Sequence, residues 1–509
     1  MDNSAARARP ARELIALIAD SDGFGAWDED VVSSDPLDFV DVKPYTRRLA
    51  EARAKSGTSE SVLTGRAVVG GHPVVVIAGE FSFLGGSTGI ASGERTARAF
   101  ERAADLSLPV IALPSSGGAR MQEGSLALMQ VIKTAAAATR FRRAGLPYIA
   151  YLSHPTTGGV LASWGSLAHL TFAMPGALIG LMGPRVMSLA QGASLEVIQR
   201  AEHLLARGLV DGIFPPEELQ ARLARLLSTL DHSVDPYPLD ASPTEEFVPG
   251  RKDAWESVNL SRNPDRPGAR ALIEACATDL TVIHGDALGG GDDPSCFAAI
   301  GRVTGVPAVI LAQDRDAGPG PSPAAFRKAR RGVRLADELG LPLVTVVDTS
   351  RAEVTAEAEA GGLAAEIARC LGEVTDLRTP TVSVLLGEAR GGLSLPLLPA
   401  DRVICAENAW LGPIAPEGAS AILYRDKSHA HELARAQGVS PLALLGFGII
   451  DVVVPEFPSA DKEPREFVER VTAFIATQLR SLVAQDSGER LAARVARYRG
   501  IGEVTARDG

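Results

Sequence analysis

Cysteine is scarce in this 509-residue chain, and its spacing cannot build a metal site. Cys276, Cys296, Cys370 and Cys405 all lie in the second half, none within four residues of another. That excludes a zinc ribbon, and scattered cysteines in a long chain suit a reducing compartment. No apolar run approaches the roughly 20 residues a membrane span needs. Glu13, Asp20 and Asp22 interrupt the opening segment, so no signal-peptide core is expected there. Net positive charge is lacking too: the formal charge is −11, which disfavours nucleic acid or an anionic membrane as main partner. A cytoplasmic protein without a membrane contact or metal is expected. Two glycine signatures of nucleotide binding are absent, the P-loop and a G-x-G-x-x-G after the first apolar run of either half. No serine sits in a G-x-S-x-G frame.

What is present is ordinary globular composition, 46% apolar and 22% charged, in a chain long enough for at least two domains. Its strongest signal is repetition. Gly71-His72-Pro73 opens the run Val74–Ile77, and Gly305-Val306-Pro307 opens Ala308–Leu311. Leu108-Pro109 recurs as Leu341-Pro342, Leu146-Pro147 as Thr379-Pro380, and Gly158-Gly159 as Gly391-Gly392. Gly183-Pro184-Arg185 recurs as Ala415-Pro416-Glu417, and every offset lies between 232 and 234. The chain therefore reads as two copies of one fold.

Short continuous apolar runs mark strands buried on both faces: Val74–Ile77, Val110–Leu113, Tyr148–Leu152 and Ala177–Leu181, then Ala308–Leu311, Leu343–Val347 and Val382–Leu386. Long helical spacers between them predict right-handed βαβ crossovers, so the fold class is α/β. Residues 1–60 read as a helical lead-in and 61–232 as the first domain. The Pro-rich stretch 233–268 reads as a linker, with a short helix around Trp255, and 269–509 as the second domain.

In the first half, glycine pairs follow three apolar runs: Gly85-Gly86, Gly117-Gly118 and Gly158-Gly159. Each falls at the carboxyl end of an expected strand, where open α/β sheets bind ligands. A single such pair reads as a tight turn; three together favour loops that bring backbone N–H groups to a ligand. Two converging N–H groups form an oxyanion hole, suited to an enolate or a tetrahedral oxyanion such as arises at a thioester. Side-chain catalysis is poorly provided for. His154 and His169 are the histidines near these loops, and each reads more readily as a packing or hydrogen-bonding residue than as a base.

The residues around these loops carry a resemblance. Glu80-Phe-Ser-Phe-Leu-Gly-Gly-Ser87, Ser115-Ser-Gly-Gly-Ala-Arg-Met-Gln-Glu123, His154-Pro-Thr-Thr-Gly-Gly-Val160 and Ala177-Leu-Ile-Gly-Leu-Met-Gly-Pro-Arg185 resemble the carboxyltransferase β subunit of bacterial acetyl-CoA carboxylase. Val258-Asn-Leu-Ser-Arg-Asn-Pro-Asp-Arg-Pro267, His284-Gly-Asp286, Pro416-Glu-Gly418 and Gly448-Ile-Ile-Asp451 resemble the matching α subunit. Lys43-Pro-Tyr-Thr-Arg-Arg-Leu49 resembles the start of acyl-CoA carboxylase β chains, in which both halves are fused.

The resemblance implies two tandem crotonase-like domains that move a carboxyl group from carboxybiotin to the α-carbon of an acyl-CoA. It implies N–H groups of Gly117, Gly118, Gly158 and Gly159 at the thioester, with Gly85, Gly86, Ser115 and Ser116 lining the substrate loops. Gly391 and Gly392, with Ser350 and Arg351, would face biotin. The released biotin anion would take the proton, so no external base is needed. A dimeric core is implied, alone or as a trimer of dimers, in which the acyl-CoA side of one subunit meets the biotin side of another.

Departures sharpen these expectations. The family's D-T-P-G-A-Y-P-G reads Asp348-Thr-Ser-Arg-Ala-Glu-Val-Thr355 here, and its G-E-G-G-S-G-G-A reads Gly387-Glu-Ala-Arg-Gly-Gly-Leu-Ser394. Ser350-Arg351 thus stands where the first half has Gly117-Gly118, and arginine resists φ > 0. No M-K-M-type biotinylation site and no ATP-binding glycine loop occur, so a biotinylated carrier and a biotin carboxylase subunit would be separate polypeptides. For the CoA phosphates the candidates are Arg95, Arg98, Lys133 and, best placed at a helix start, Arg120. Two other readings stay open: a malonyl-thioester decarboxylase, and a non-catalytic scaffold whose second half has lost its biotin hole.

Overall fold

The computed structural model describes residues 7–21, 23–183, 197–236, 253–317, 320–349 and 354–502. The chain divides into two compact units, Met1–Asp231 with Ala287–Gly291, and His232–Asp286 with Asp292–Gly509.

In the first unit the strands are β1 (Phe24–Trp27), β2 (Val62–Val69), β3 (His72–Gly79), β4 (Val110–Leu113), β5 (Tyr148–Leu152), β6 (Thr156–Thr157), β7 (Leu170–Ala173), β8 (Ile179–Gly180) and β9 (Gly212–Ile213). Seven form one sheet in the order β1-β2-β3-β4-β5-β7-β9. β1, β2 and β3 pair antiparallel, and every step from β3 to β9 is parallel. β6 and β8 form a separate parallel pair.

The second unit repeats this with β10 (Ala277–Val282), β11 (Cys296–Val303), β12 (Val306–Gln313), β13 (Leu343–Val347), β14 (Thr381–Leu385), β15 (Glu388–Arg390), β16 (Arg402–Ala406), β17 (Trp410–Gly412) and β18 (Val452–Val454). Its sheet order is β10-β11-β12-β13-β14-β16-β18, with β15 and β17 as the side pair. The register repeats as well. Val75 pairs with Val110 and Val110 with Tyr148; Val309 pairs with Leu343 and Leu343 with Thr381.

The runs read as doubly covered strands are buried at every position in β4, β5, β12, β13 and β14. Helices complete each crossover: Ile90–Asp105 and Gly124–Arg143 follow β3 and β4, and Pro323–Leu339 follows β12. The last shows why the sequence is helical there. Ser322 caps its start by accepting the Ala324 N–H, Pro323 fits the first turn, and Gly340 at φ 65° ends it. Its apolar stripe of Ala325, Phe326, Ala329, Val333 and Ala336 is buried.

Three expectations change. The lead-in supplies a strand as well as helices, because β1 extends the sheet beyond β2. Ala177–Leu181 is not a strand of the main sheet: only Ile179–Gly180 is extended, beside Thr156–Thr157, and Leu170–Ala173 takes the place next to β5. Residues 253–268 group with the second unit, where the helix Ala254–Ser261 packs Ala254 and Val258 against Trp410, Ala434 and Val439.

The closing helices Pro464–Val483 and Ser487–Gly500 dock within the second unit. Arg494 is fully buried, and its guanidinium takes both Asp401 oxygens at 2.8 Å and the Leu377 carbonyl at 2.8 Å. Truncating one partner strands the other charge in the interior. Arg494→Ala is expected to lower stability to urea by about 3–5 kcal/mol; a loss under about 1 kcal/mol, the scale of a surface pair, would contradict that role.

Candidate active site

The three glycine loops of the first unit converge at the carboxyl ends of β3, β4 and β5. Ser116 N–H donates to the Pro155 carbonyl and Thr157 N–H returns to the Ser116 carbonyl, both at 2.8 Å. Gly117 N–H reaches the Gly85 carbonyl at 2.8 Å, and Thr88 N–H the Gly118 carbonyl at 2.9 Å. Contact is close enough to demand glycine. A Cβ on Gly158, whose φ is 70°, would lie 2.6 Å from the Gly118 Cα. One on Gly86 would lie 2.3 Å from the Ser115 carbonyl oxygen.

These bonds narrow the candidate donors. Gly117 N–H is spent on Gly85, and Gly158 N–H on the Gly180 carbonyl at 3.2 Å. Both hold the loops together, so neither is left over for an oxyanion. Gly118 N–H makes a local bond of 3.1 Å to the Ser116 Oγ, which an incoming oxyanion could replace. Gly159 N–H has no acceptor among the described residues. Ser115 and Ser116 are buried inside the loop junction, with hydroxyls turned to backbone carbonyls.

Arg120 departs from expectation. Its side chain is fully buried, so it offers nothing to a CoA phosphate. It pairs with Glu60 and Glu123 and donates to Ser33 Oγ, Ser61 Oγ and the Ser87 carbonyl. Burial opposes its charge, but the Glu60 carboxylate outweighs that and raises its pKa. In the same way burial works against the Glu60 carboxylate, and the Arg120 charge and hydrogen bonds still hold its pKa below the usual range. Glu123 also accepts the Tyr45 OH at 2.6 Å and the Ile90 N–H, so the lead-in, two glycine loops and a helix start share one ionic node. Arg120 thus positions the loops.

The other expected phosphate ligands are also committed. Arg95 is buried on the Val31 and Val62 carbonyls and Ser59, while Arg98 and Lys133 pair with Glu94. His169 exchanges hydrogen bonds with the Tyr148 backbone at the amino end of β5. His154 Nδ1 accepts the Leu178 N–H at 3.2 Å, and burial and then Arg200 lower its pKa. Neither histidine is presented as a base.

The second unit rebuilds the junction. Thr349 N–H donates to the Glu388 carbonyl at 2.7 Å, the counterpart of Ser116 and Pro155. Gly391 has φ 53° and, like Gly158, ends a short parallel side strand; a Cβ there would lie 2.8 Å from the Pro413 carbonyl oxygen. Gly392, the counterpart of Gly159, faces open space. Beside Gly391 lies a cavity of about 230 Å³ walled by Leu395, Leu411, Pro413, Leu444 and Phe447. Gln437 brings the polar side chain, and its Oε1 has no hydrogen-bond partner among the described residues. Ser350 and Arg351 lie outside the described residues.

Two crotonase-type units, each with a seven-stranded sheet and a glycine-pair loop, define a class of acyl-CoA carboxyltransferase folds, and the comparisons agree. Residues 241–502 match the family model described as acetyl co-enzyme A carboxylase carboxyltransferase-like. A Mycobacterium tuberculosis protein described as a probable biotin-dependent acyl-coenzyme A carboxylase beta3 subunit is 48% identical over 494 residues, 96% of this chain and 98% of that one. A Salinispora tropica protein described as acetyl-coenzyme A carboxylase carboxyl transferase subunits beta/alpha is 37% identical, covering 97% of this chain and 90% of its own. Transcarboxylase 12S shares the fold, with a TM-score of 0.73 at 21% identity over 92% of this chain and 90% of that one. The chain belongs to the carboxyltransferase family of biotin-dependent acyl-CoA carboxylases. Among the described residues no helix is long and apolar enough to cross a membrane and no side-chain cluster could hold a metal.

The Gly159 loop offers a direct test. A Cβ on Gly159 would lie 2.6 Å from Val131 Cγ2, so Gly159→Ala forces the loop and the Val131 side chain apart. Carboxyl transfer is expected to fall about 10²–10³-fold, as when one oxyanion donor is lost. Adding Val131→Ala should recover at least about tenfold of that; no loss in the single variant would remove Gly159 from the site.

Proposed function

We propose that the chain transfers a carboxyl group from biotin on a separate carrier protein to the α-carbon of a short acyl-CoA, acetyl-CoA first, yielding malonyl-CoA. The observation that carries this reading is the unspent Gly159 N–H beside the exchangeable Gly118 N–H, repeated in outline at Gly391-Gly392. The first pair would stabilise the thioester oxygen as negative charge develops on it. Binding energy placed there acts on the transition state, because the uncharged thioester carbonyl gains less from the same donors.

The cavity beside Gly391 suits a cyclic urea: its walls are apolar, and Gln437 adds a polar amide at its edge. Leu411, Leu444 and Phe447 would hold the ring, and the Gly391-Gly392 backbone would supply donors to it. Carboxybiotin would supply the activated carboxyl group there. The names of the relatives support acyl-CoA and biotin for those proteins, and the Salinispora relative supports acetyl-CoA.

Assembly enters the proposal through exposed apolar side chains. Leu128, Met129 and Ile132 stand out on the helix that follows the Gly117-Gly118 loop in the first unit. Ile422, Leu423 and Tyr424 stand out in the second. Contiguous apolar surface of this kind usually marks an interface, and we assign both faces to a second copy, in a dimer or a trimer of dimers. Four buried, free cysteines suit the proposed cytoplasmic location.

The experiment is decarboxylation of malonyl-CoA, the reverse half-reaction, with and without free biotin, followed by carboxylation with the carrier over a series of acyl lengths. Turnover should require biotin, and the forward rate should be highest for the two- and three-carbon acyl groups. Full turnover without biotin would replace this reading with the decarboxylase.

A further inference from the structure

The second unit carries a buried carboxylate that the proposed chemistry does not use. Asp348 directly follows β13, and its side chain is fully enclosed. Its Oδ1 accepts the Glu388 N–H at 3.2 Å. The adjoining Thr349 donates both its N–H, at 2.7 Å, and its hydroxyl, at 2.8 Å, to the Glu388 carbonyl. The Glu388 residue is thus gripped at both its N–H and its C=O, three positions before Gly391. The fit is tight, since a Cβ on Gly387 would lie 2.5 Å from the Asp348 Oδ1. In the first unit serine occupies the position matching Asp348, and the equivalent grip is made without a charge, by the Ser116 N–H at 2.8 Å and the Ser115 hydroxyl at 3.5 Å on the Pro155 carbonyl.

The other oxygen is left wanting. Asp348 Oδ2 makes no hydrogen bond among the described residues, and its ionic neighbour, Arg315 Nη1, is 3.5 Å away. Arg315 is itself directed to the Ser261 and Arg266 carbonyls. Charges facing Asp348 are Arg315 from the loop after β12, Arg266 from the segment before the helix Ala269–Cys276, and Glu388 from β15. Arg262 and Arg390 in turn pair with Glu388.

We propose that Asp348, as a carboxylate, is the positioning residue of the biotin-facing loop: its charge holds the Glu388 peptide and Arg315 so that Gly391-Gly392 is presented, and protonation slackens that loop. The inference rests on the biotin reading of the second unit. Burial pushes the Asp348 carboxyl up to about 6, against the pull of Arg315. The sign follows from linkage. A folded-state pKa above the unfolded one means that the folded protein holds this proton more tightly. The stabilisation is complete below the unfolded value and is lost as pH rises through about 6. At neutral pH the charge is therefore kept at a cost to stability.

The test compares wild type with Asp348→Asn, which keeps the Oδ1 acceptor and removes the charge, in biotin-dependent decarboxylation of malonyl-CoA from pH 5 to 8. Wild-type kcat should fall about tenfold per pH unit below a midpoint near 6, with KM for malonyl-CoA steady. Asp348→Asn should be slower at pH 7.5, lack that acidic limb, and melt at a higher temperature at pH 7.5. An unchanged limb in the variant, or a lower melting temperature at pH 7.5, would overturn the proposal. Should the variant fail to fold, the wild-type profile decides: no acidic limb near pH 6 overturns it. Absence of any biotin-dependent turnover in wild type would instead overturn the function itself, and the inference with it.

Discussion

One backbone hydrogen bond organises each half of this protein. In the first unit the Ser116 N–H meets the Pro155 carbonyl, and in the second the Thr349 N–H meets the Glu388 carbonyl. Parallel strands leave their carboxyl-end loops side by side but do not align them. This bond does, fastening the loop after one strand to the loop after the next. It leads into the short side pairs β6–β8 and β15–β17, and these in turn deliver Gly158 and Gly391 in the left-handed conformation. Most N–H groups in the first junction are consumed by this fastening. Those left over, Gly159 above all, are the ones that can act on a ligand.

Around this shared bond the halves have diverged in how they are braced. The first surrounds its loops with a closed ionic node, Arg120 with Glu60 and Glu123, in which the guanidinium fork has every arm engaged. A buried charge is tolerable only when so fully paired. The second braces its loop with Asp348, whose partner is farther off and whose second oxygen has no hydrogen bond among the described residues. The first junction is therefore rigid at any ordinary pH, and the second is responsive. That contrast suits the proposed roles, a small substrate held by the first half and a ring delivered on a carrier received by the second.

Much of this was legible in the sequence because continuous apolar runs and glycine pairs have direct physical meanings. Val110–Leu113 and Tyr148–Leu152 are strands to the residue, and the constant offset between the halves reappears as strand register. The antiparallel edge β1–β2 was hidden, since Phe24–Trp27 is short and only partly buried. The run Ala177–Leu181 misled because a loop packed against the sheet is as apolar as a strand within it. Arginines were the hardest to place. In sequence Arg120 looks like a cation at a helix start, yet its partner Glu60 lies 60 residues away and only the fold brings them together. The glycine pairs showed where the loops are; which N–H groups stay free depends on partners such as Gly85 and Gly180 in other loops.

The central claim is that the two halves supply two unlike holes to one reaction, shared between copies of the chain. Complementation measures this most directly. One chain carries Gly159→Ala, another carries Gly392→Asp, and the two are mixed under conditions that exchange subunits. Each alone should retain no more than about 1% of wild-type activity. If the acyl-CoA half of one copy works with the biotin half of another, the mixture should regain about one quarter of wild-type activity, from the one intact site in each mixed dimer. No recovery after verified exchange would contradict the account.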